Sequence, residues 1–225
     1  MDKPLKILFK LPSRGRPERF FKALDSITNN LQDFENYHVS CTLDYDDETM
    51  HNYDVIARIE TYKNISVEWG LSNSKIHAVN RDIPDIEWDI ICVGSDDIYF
   101  NLFGFDAAIR TEMMANFPDG DGYLHFNEKD SGSALCVMTC CDKKYYDRFG
   151  YIYHNSYEAL FCDNEQMAVA QQLGRYVYIP YSIMEHANPA YGYIPKDEMF
   201  ERQQAVGWTK DMATFNERKA KNFDL

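Results

Sequence analysis

Trp88-Asp89-Ile90-Ile91-Cys92-Val93, followed at once by Gly94-Ser95-Asp96-Asp97, is the stretch that decides the fold. Four consecutive apolar residues, three of them β-branched, form a run too short for a buried helix, and the Gly-Ser-Asp-Asp sequence ends it as a turn. Upstream, Leu5–Leu11 (LKILFKL) is a second compact apolar run, stopped by Pro12-Ser13-Arg14-Gly15-Arg16-Pro17. Pro17 suits the first turn of a helix, and Phe20, Phe21, Leu24, Ile27, Thr28 and Leu31 then repeat at three and four. His38–Leu43 reads as a strand ended by the polar run Asp44–Glu48, then a helix to about Tyr62, a short strand Ile65–Trp69, and a helix Ser72–Asn80 capped by Ser72. Downstream the pattern predicts a helix Phe105–Asn116, strands Gly122–Phe126 and Ser133–Thr139, and a short helix Lys143–Phe149. A helix Asp163–Leu173 stopped by Gly174, a final strand Tyr176–Ile179, and one or two surface helices from Lys196 complete it. Strands separated by single helices predict an α/β fold with a mostly parallel central sheet and helices on both faces.

The chain of 225 residues fits one large α/β domain, with 45% hydrophobic and 26% charged residues, an ordinary globular composition. No apolar run reaches membrane-spanning length, and Met1–Asp2–Lys3–Pro4 opens no signal peptide, so a soluble cytoplasmic protein is expected. The six cysteines carry no C-x-x-C spacing and predict buried reduced thiols rather than a zinc site or redox pair. The net charge of −13 argues against non-specific nucleic-acid binding. It is uneven: residues 1–22 hold seven basic side chains against two acids, a local +5, leaving −18 elsewhere. Such an element fits either a small anion or a solvated helix face.

Lys10–Arg16, Asp44–Glu48 and Gly94–Asp97 each follow an expected strand. In an open parallel sheet the carboxyl ends of the strands line one crevice, so three sequence-distant polar clusters converge there. Asp96 and Asp97 repel each other unless a cation or hydrogen-bond donors intervene, although a plain turn needs the same residue types. Asp163 opens a helix with Gln166 three residues on, which fits a capping box and equally a carboxylate facing the cleft. His186, beyond the last expected strand, is either structural or able to complete a metal site begun by Asp97.

In the order of these parts, over about residues 5–190, the chain resembles the metal-dependent GT-A fold glycosyltransferases, specifically the family 2-like inverting enzymes. The resemblance is carried by Leu11–Pro17, by Asp44 ending the second strand, by the helix Ser72–Asn80, by Ser95-Asp96-Asp97 and by the late acidic helix start. It implies a single Rossmann-like GT-A domain over 1–195, with a nucleotide-binding half about 1–100 and an acceptor half about 101–195. Residues 196–225 would form a helical tail packed on the same domain. Pro12, Ser13 and Arg16 would lie along the nucleotide base and ribose, the Arg14/Arg16 loop would add positive charge near the diphosphate, Asp44 would accept a hydrogen bond from the base, and Lys75 would approach the nucleotide. Ser95-Asp96-Asp97 matches the DXD motif, with Ser95 in place of the first acid. Asp96 would bind ribose, and Asp97 with His186 a divalent ion, Mn2+ or Mg2+. The family's catalytic Asp follows a Glu about eleven residues before a Gly; here Asp163 stands eleven before Gly174, Cys162 replaces the Glu, and Glu165 is a possible substitute base.

The expected reaction is transfer of a sugar from a nucleotide-diphosphate sugar, a UDP-sugar first, to an acceptor hydroxyl with inversion. The acceptor would be a glycan, a lipid-linked precursor or, against the net charge, a modified DNA base. Two alternatives remain at this point. Asp44-Tyr45-Asp46 after a strand resembles the aspartyl-phosphate phosphatases, though Glu48 stands where their Thr belongs. Cys162 in place of the acid fits a binding module of the same fold that recognises a nucleotide or glycan without turnover.

Overall fold

The computed structural model describes residues 3–225. In chain order the regular elements are β1 (Ile7–Pro12), α1 (Pro17–Asn30), β2 (Tyr37–Asp44), α2 (Tyr53–Ile59), β3 (Ile65–Gly70), α3 (Lys75–Asn80), β4 (Ile90–Val93) and β5 (Ile98–Phe100). The second half holds α4 (Phe105–Asn116), β6 (Tyr123–Phe126), β7 (Cys140–Asp142), α5 (Lys143–Asp147), α6 (Cys162–Gln172), β8 (Tyr176–Ile179), β9 (Met184–His186), α7 (Glu198–Val206) and α8 (Met212–Ala220).

Seven strands form one sheet in the order β3-β2-β1-β4-β7-β6-β8, and only β7 runs against the rest. Alternation along β1 sorts the core into two layers. Ile7, Phe9 and Leu11 pack with Phe20, Leu24 and Ile27 of α1, Val55 and Ile59 of α2, and Phe105 and Ile109 of α4. Leu8 faces the other way, with Ile91, Val93, Ile76 and Val79 of α3, Tyr145 of α5, and Cys162 and Ala170 of α6. Each such side chain, taken out of water, stabilises the fold by roughly 1.5–3 kcal/mol before chain entropy is counted. Burial on both faces explains why the strands read as continuous apolar runs. All six cysteines are buried and unpaired. No helix of the described residues is long and apolar enough to cross a membrane.

Three expectations shift. The cap of α3 is Ser74, whose side chain accepts from His77 N, while Ser72 is drawn away toward Asp44. The strand expected over Ser133–Thr139 forms instead at Cys140–Asp142: Cys136 and Met138 are buried in alternation, but the backbone there is turn and bend, with Gly132 at φ +53°. Alternate burial is thus not evidence of pairing. Beyond β8 there is one more strand, β9, which pairs antiparallel with β5 in a small second sheet.

Candidate active site

The carboxyl ends of β1, β2 and β4 open on the same edge, as parallel register requires. Asp44 ends β2 and is buried. Its Oδ2 accepts from Arg14 Nη1 at 2.9 Å, and its Oδ1 from Ser72 Oγ at 2.7 Å and Arg81 Nη2 at 3.2 Å. Arg81 also donates to Leu43 O and Ser72 Oγ, each at 2.9 Å. The sequence gives no warning of Arg81 beyond its place after the helix, but Gly70 is a signal in hindsight. A Cβ there would fall 2.4 Å from Arg81 Nη1, so glycine at the end of β3 leaves space for the guanidinium. Lys10, wholly buried in β1, donates to the carbonyls of Arg81 and Asp82 at 2.8 and 3.0 Å and so holds the loop carrying Arg81. Burial lowers its ammonium to about 8.

Pro12 closes β1, and Ser13 and Arg16 turn toward Asp96. Ser13 Oγ donates to Asp96 Oδ2 at 2.8 Å and Arg16 Nη1 to Oδ1 at 3.0 Å. Arg16 also clasps Asp197, Nε at 2.8 Å and Nη2 at 2.6 Å, and Arg19 joins that carboxylate at 3.2 Å. Burial and the neighbouring Asp97 charge push the Asp96 carboxyl up, with Arg16 and Ser13 opposing. The basic cluster of residues 1–22 thus spends Arg14, Arg16 and Arg19 on the chain's own carboxylates.

Asp97 and His186 meet through the small sheet. Ile98 of β5 lies opposite His186 of β9, and Ala187 N donates to Asp97 O at 2.8 Å. The imidazole Nε2 stands 3.7 Å from Asp97 Oδ2, an electrostatic contact too long for a hydrogen bond. Burial works against the Asp97 charge, yet the facing imidazole, the Ser95 hydroxyl bonded to Oδ1 and the Lys75 ammonium together hold its carboxyl well below the usual range. Two three-residue strands carry too little pattern to be seen in sequence, so this pairing had no local signal.

Asp163 lies in the first turn of α6 and is not its cap. That place falls to Phe161, in the left-handed region at φ +62°, and Gln166 bonds Ile152 O instead of closing a capping box. The Asp163 carboxylate accepts from Asn164 N at 2.9 Å. Burial pushes its carboxyl up, opposed by Lys75 and, less strongly, by His186, the same two side chains that act on Asp97. Lys75 and His186 thus act electrostatically on both Asp97 and Asp163. Glu165 is spent: it accepts from Tyr157 OH at 2.6 Å and from Arg218 Nε and Nη2 at 2.8 Å.

The donor set suits a divalent ion. Among the described residues no three His, Cys, Asp or Glu side chains group as a cage; Asp97 and His186, the pair expected to hold an ion, stand 3.7 Å apart. His186 Nδ1 is buried without a hydrogen-bond partner, and Asp97 is held anionic. Hard divalent ions bound beside phosphates often take only one or two protein ligands.

No protein-family model matches the chain, and neither does any curated protein. Solved structures do, and they show the fold to be the GT-A fold. The mannosyltransferase PcManGT from Pyrobaculum calidifontis, in complex with GDP-Man and Mn2+, is similar at a TM-score of 0.72 and 14% identity over 94% of this chain and 64% of its own. S. aureus TarS (residues 1–349) is similar at 0.65 and 11% over 82% and 61%. TarS 1–349 in complex with UDP-GlcNAc gives 0.61 and 13%, over 80% and 58%. The chain thus spans under two thirds of the length of each.

Proposed function

We propose that the protein transfers a sugar from a nucleotide-diphosphate sugar to an acceptor hydroxyl with inversion. The observation that carries this is the pairing of Asp97 with His186 beside Lys75 and Asp163, at the carboxyl edge of a GT-A sheet. Structural neighbours in complex with GDP-Man, UDP-GlcNAc and Mn2+ support the donor class.

Asp97 and His186 would hold the ion, Mn2+ or Mg2+, which when bound supplies positive charge against the diphosphate leaving group. The chain's own residues do the rest. Lys75 adds charge beside the same leaving group. Asp96, oriented by Ser13 and Arg16, presents its carboxylate to the ribose, with Pro12 beside it. Asp44, steadied by Arg14, Ser72 and Arg81, meets the base. Asp163 takes the proton of the acceptor hydroxyl as it attacks the anomeric carbon opposite the departing diphosphate, and one such displacement inverts that centre. Residues 1–100 would form the nucleotide half, 101–195 the acceptor half, and 196–225 the packed tail. The acceptor is a hydroxyl of a glycan, of a lipid-linked precursor or of a modified base, and the buried free cysteines agree with a cytoplasmic protein.

Against the aspartyl-phosphate alternative stand Glu48 in place of its Thr and an Asp44 carboxylate already bonded by three side chains. A binding module without turnover retains one supporting observation, Cys162 where an acid is expected. Thermal-shift titration with UDP-GlcNAc and GDP-mannose, with and without Mn2+, tests the proposal. Metal-dependent stabilisation by one donor, absent in Asp97→Ala, together with slow wild-type hydrolysis of that donor, is expected. Binding without any hydrolysis or transfer would leave the binding module instead.

A further inference from the structure

Helix α6 has an unusual beginning. Its cap residue offers no side-chain hydrogen bond and is a phenylalanine with positive φ, a conformation that costs energy in a bulky residue. Its buried face, Cys162, Glu165, Gln166, Val169 and Ala170, includes a carboxylate that is only 4% exposed. A buried charge of this kind needs a partner, and α6 does not supply one.

The C-terminal segment does. Arg218 of α8 reaches Glu165 with two nitrogens, Nε at 3.0 and 2.8 Å to the two oxygens and Nη2 at 2.8 Å. Its Nη1 continues to Asp224 at 2.8 Å. Asp211, fully buried just before α8, accepts three successive backbone N–H groups of the loop entering α6: Glu158 at 3.0 Å, Ala159 at 2.7 Å and Leu160 at 2.8 Å. Between α7 and α8 the helix widens into a π turn, Gly207–Asp211. Gly207 presses on Leu160 so closely that a Cβ would fall 2.3 Å from Leu160 Cγ. Phe161 itself rests against Trp208 and Phe215, ring centroids 5.4 and 5.9 Å away. The backbone N–H groups of 158 to 160 and the ring of Phe161 are therefore held from the C-terminal side, and Asp163 follows two residues later.

We propose that Arg218 and Asp211 are positioning residues for Asp163: the C-terminal helical segment sets where α6 begins, and with it the place of the carboxylate that takes the acceptor proton. The inference rests on the sugar-transfer reading above. Arg218 touches neither the nucleotide-side residues nor Asp97 and His186, so its effect falls on proton removal and not on donor binding. Misplacing a reacting group by about 1 Å can cost ~100-fold in rate.

The test uses the full chain with UDP-GlcNAc or GDP-mannose and Mn2+, comparing wild type, Arg218→Ala, Arg218→Lys and Asp211→Asn. In Arg218→Ala, kcat is expected to fall roughly 10–100-fold while donor KM stays within about twofold. Arg218→Lys should recover part of the loss, since it keeps the charge but not the two-pronged contact. Amide exchange should accelerate across residues 158–166 and not across 7–12. If Arg218→Ala fails to fold, Asp211→Asn, which keeps the side-chain shape, should show the same kcat loss and local exchange. An active wild type with kcat unchanged in the folded variants overturns the positioning role alone, as does a rise in KM that accounts for the whole effect. A wild type that turns over neither donor overturns the sugar-transfer reading and the positioning role with it.

Discussion

Asp44, ending β2, and Asp163, in the first turn of α6, are held in opposite ways. Asp44 is locked by Arg14, Ser72 and Arg81, with Lys10 bracing the loop behind them. Asp163 accepts a backbone N–H from its own helix, while the loop before that helix and Glu165 within it are held by Asp211 and Arg218 of the C-terminal segment. A group that recognises a ligand gains from being rigid and anionic before the ligand arrives. A group that must accept a proton has to keep an oxygen free and its basicity adjustable. Under the proposed function, Asp44 thus suits preorganised recognition and Asp163 suits proton transfer.

The largest test of that contrast is Asp163→Asn. Turnover should fall by ~10²–10⁴ with donor affinity unchanged, measured by steady-state kinetics and calorimetry. Because burial raises the Asp163 carboxyl, wild-type kcat/KM should decline as pH falls through a value above the ordinary carboxylate's ~4, and the variant should lack that limb. Equal loss of donor affinity would mean that Asp163 belongs to the binding end. Next in size, Asp44→Ala leaves Arg81 with Asp82 as its remaining carboxylate and takes a charged acceptor from Arg14 and Ser72, and should destabilise the fold by about 2 kcal/mol in urea denaturation. A fold as stable as wild type would show that the three donors brace nothing. The smallest effect concerns Lys10. With its folded value near 8 and its unfolded value 10.5, the unfolded chain holds the extra proton between them. Wild-type stability should therefore rise with pH across that window relative to Lys10→Met, at no more than ~1.4 kcal/mol per pH unit. A parallel pH dependence in the two proteins would place Lys10 in contact with water.

The first half was legible because its signals are long and local. The apolar runs of β1, β2 and β4 are buried on both faces, and the polar residues that stop them fall at the carboxyl edge by the geometry of parallel strands alone. The same logic predicted where Asp44, Asp96 and Asp97 would gather. It failed where the structure depends on short or distant partners. β5 and β9 are three residues each, below the length at which a period exists, and they pair across more than a third of the chain. Cys136 and Met138 alternate in burial without a neighbouring strand to bond. Asp163 and Gln166 carry the spacing of a capping box, yet the cap is Phe161, because the entering loop is shaped by Asp211 rather than by the helix's own sequence. Arg81 and Arg218 gave no motif; each matters only for the carboxylate it meets after folding.

The contact between Gly70 and Arg81 carries a consequence for anyone reading relatives of this chain. That glycine makes no tight turn and needs no left-handed backbone; the Arg81 guanidinium, anchored on Leu43, Ser72 and Asp44, fills the volume where its first side-chain carbon would be, and a larger residue there would have to displace it. Exchange of the arginine for a smaller residue would release the constraint, so the two positions ought to vary together. A residue with no side chain of its own would then carry the imprint of a side chain eleven positions further along.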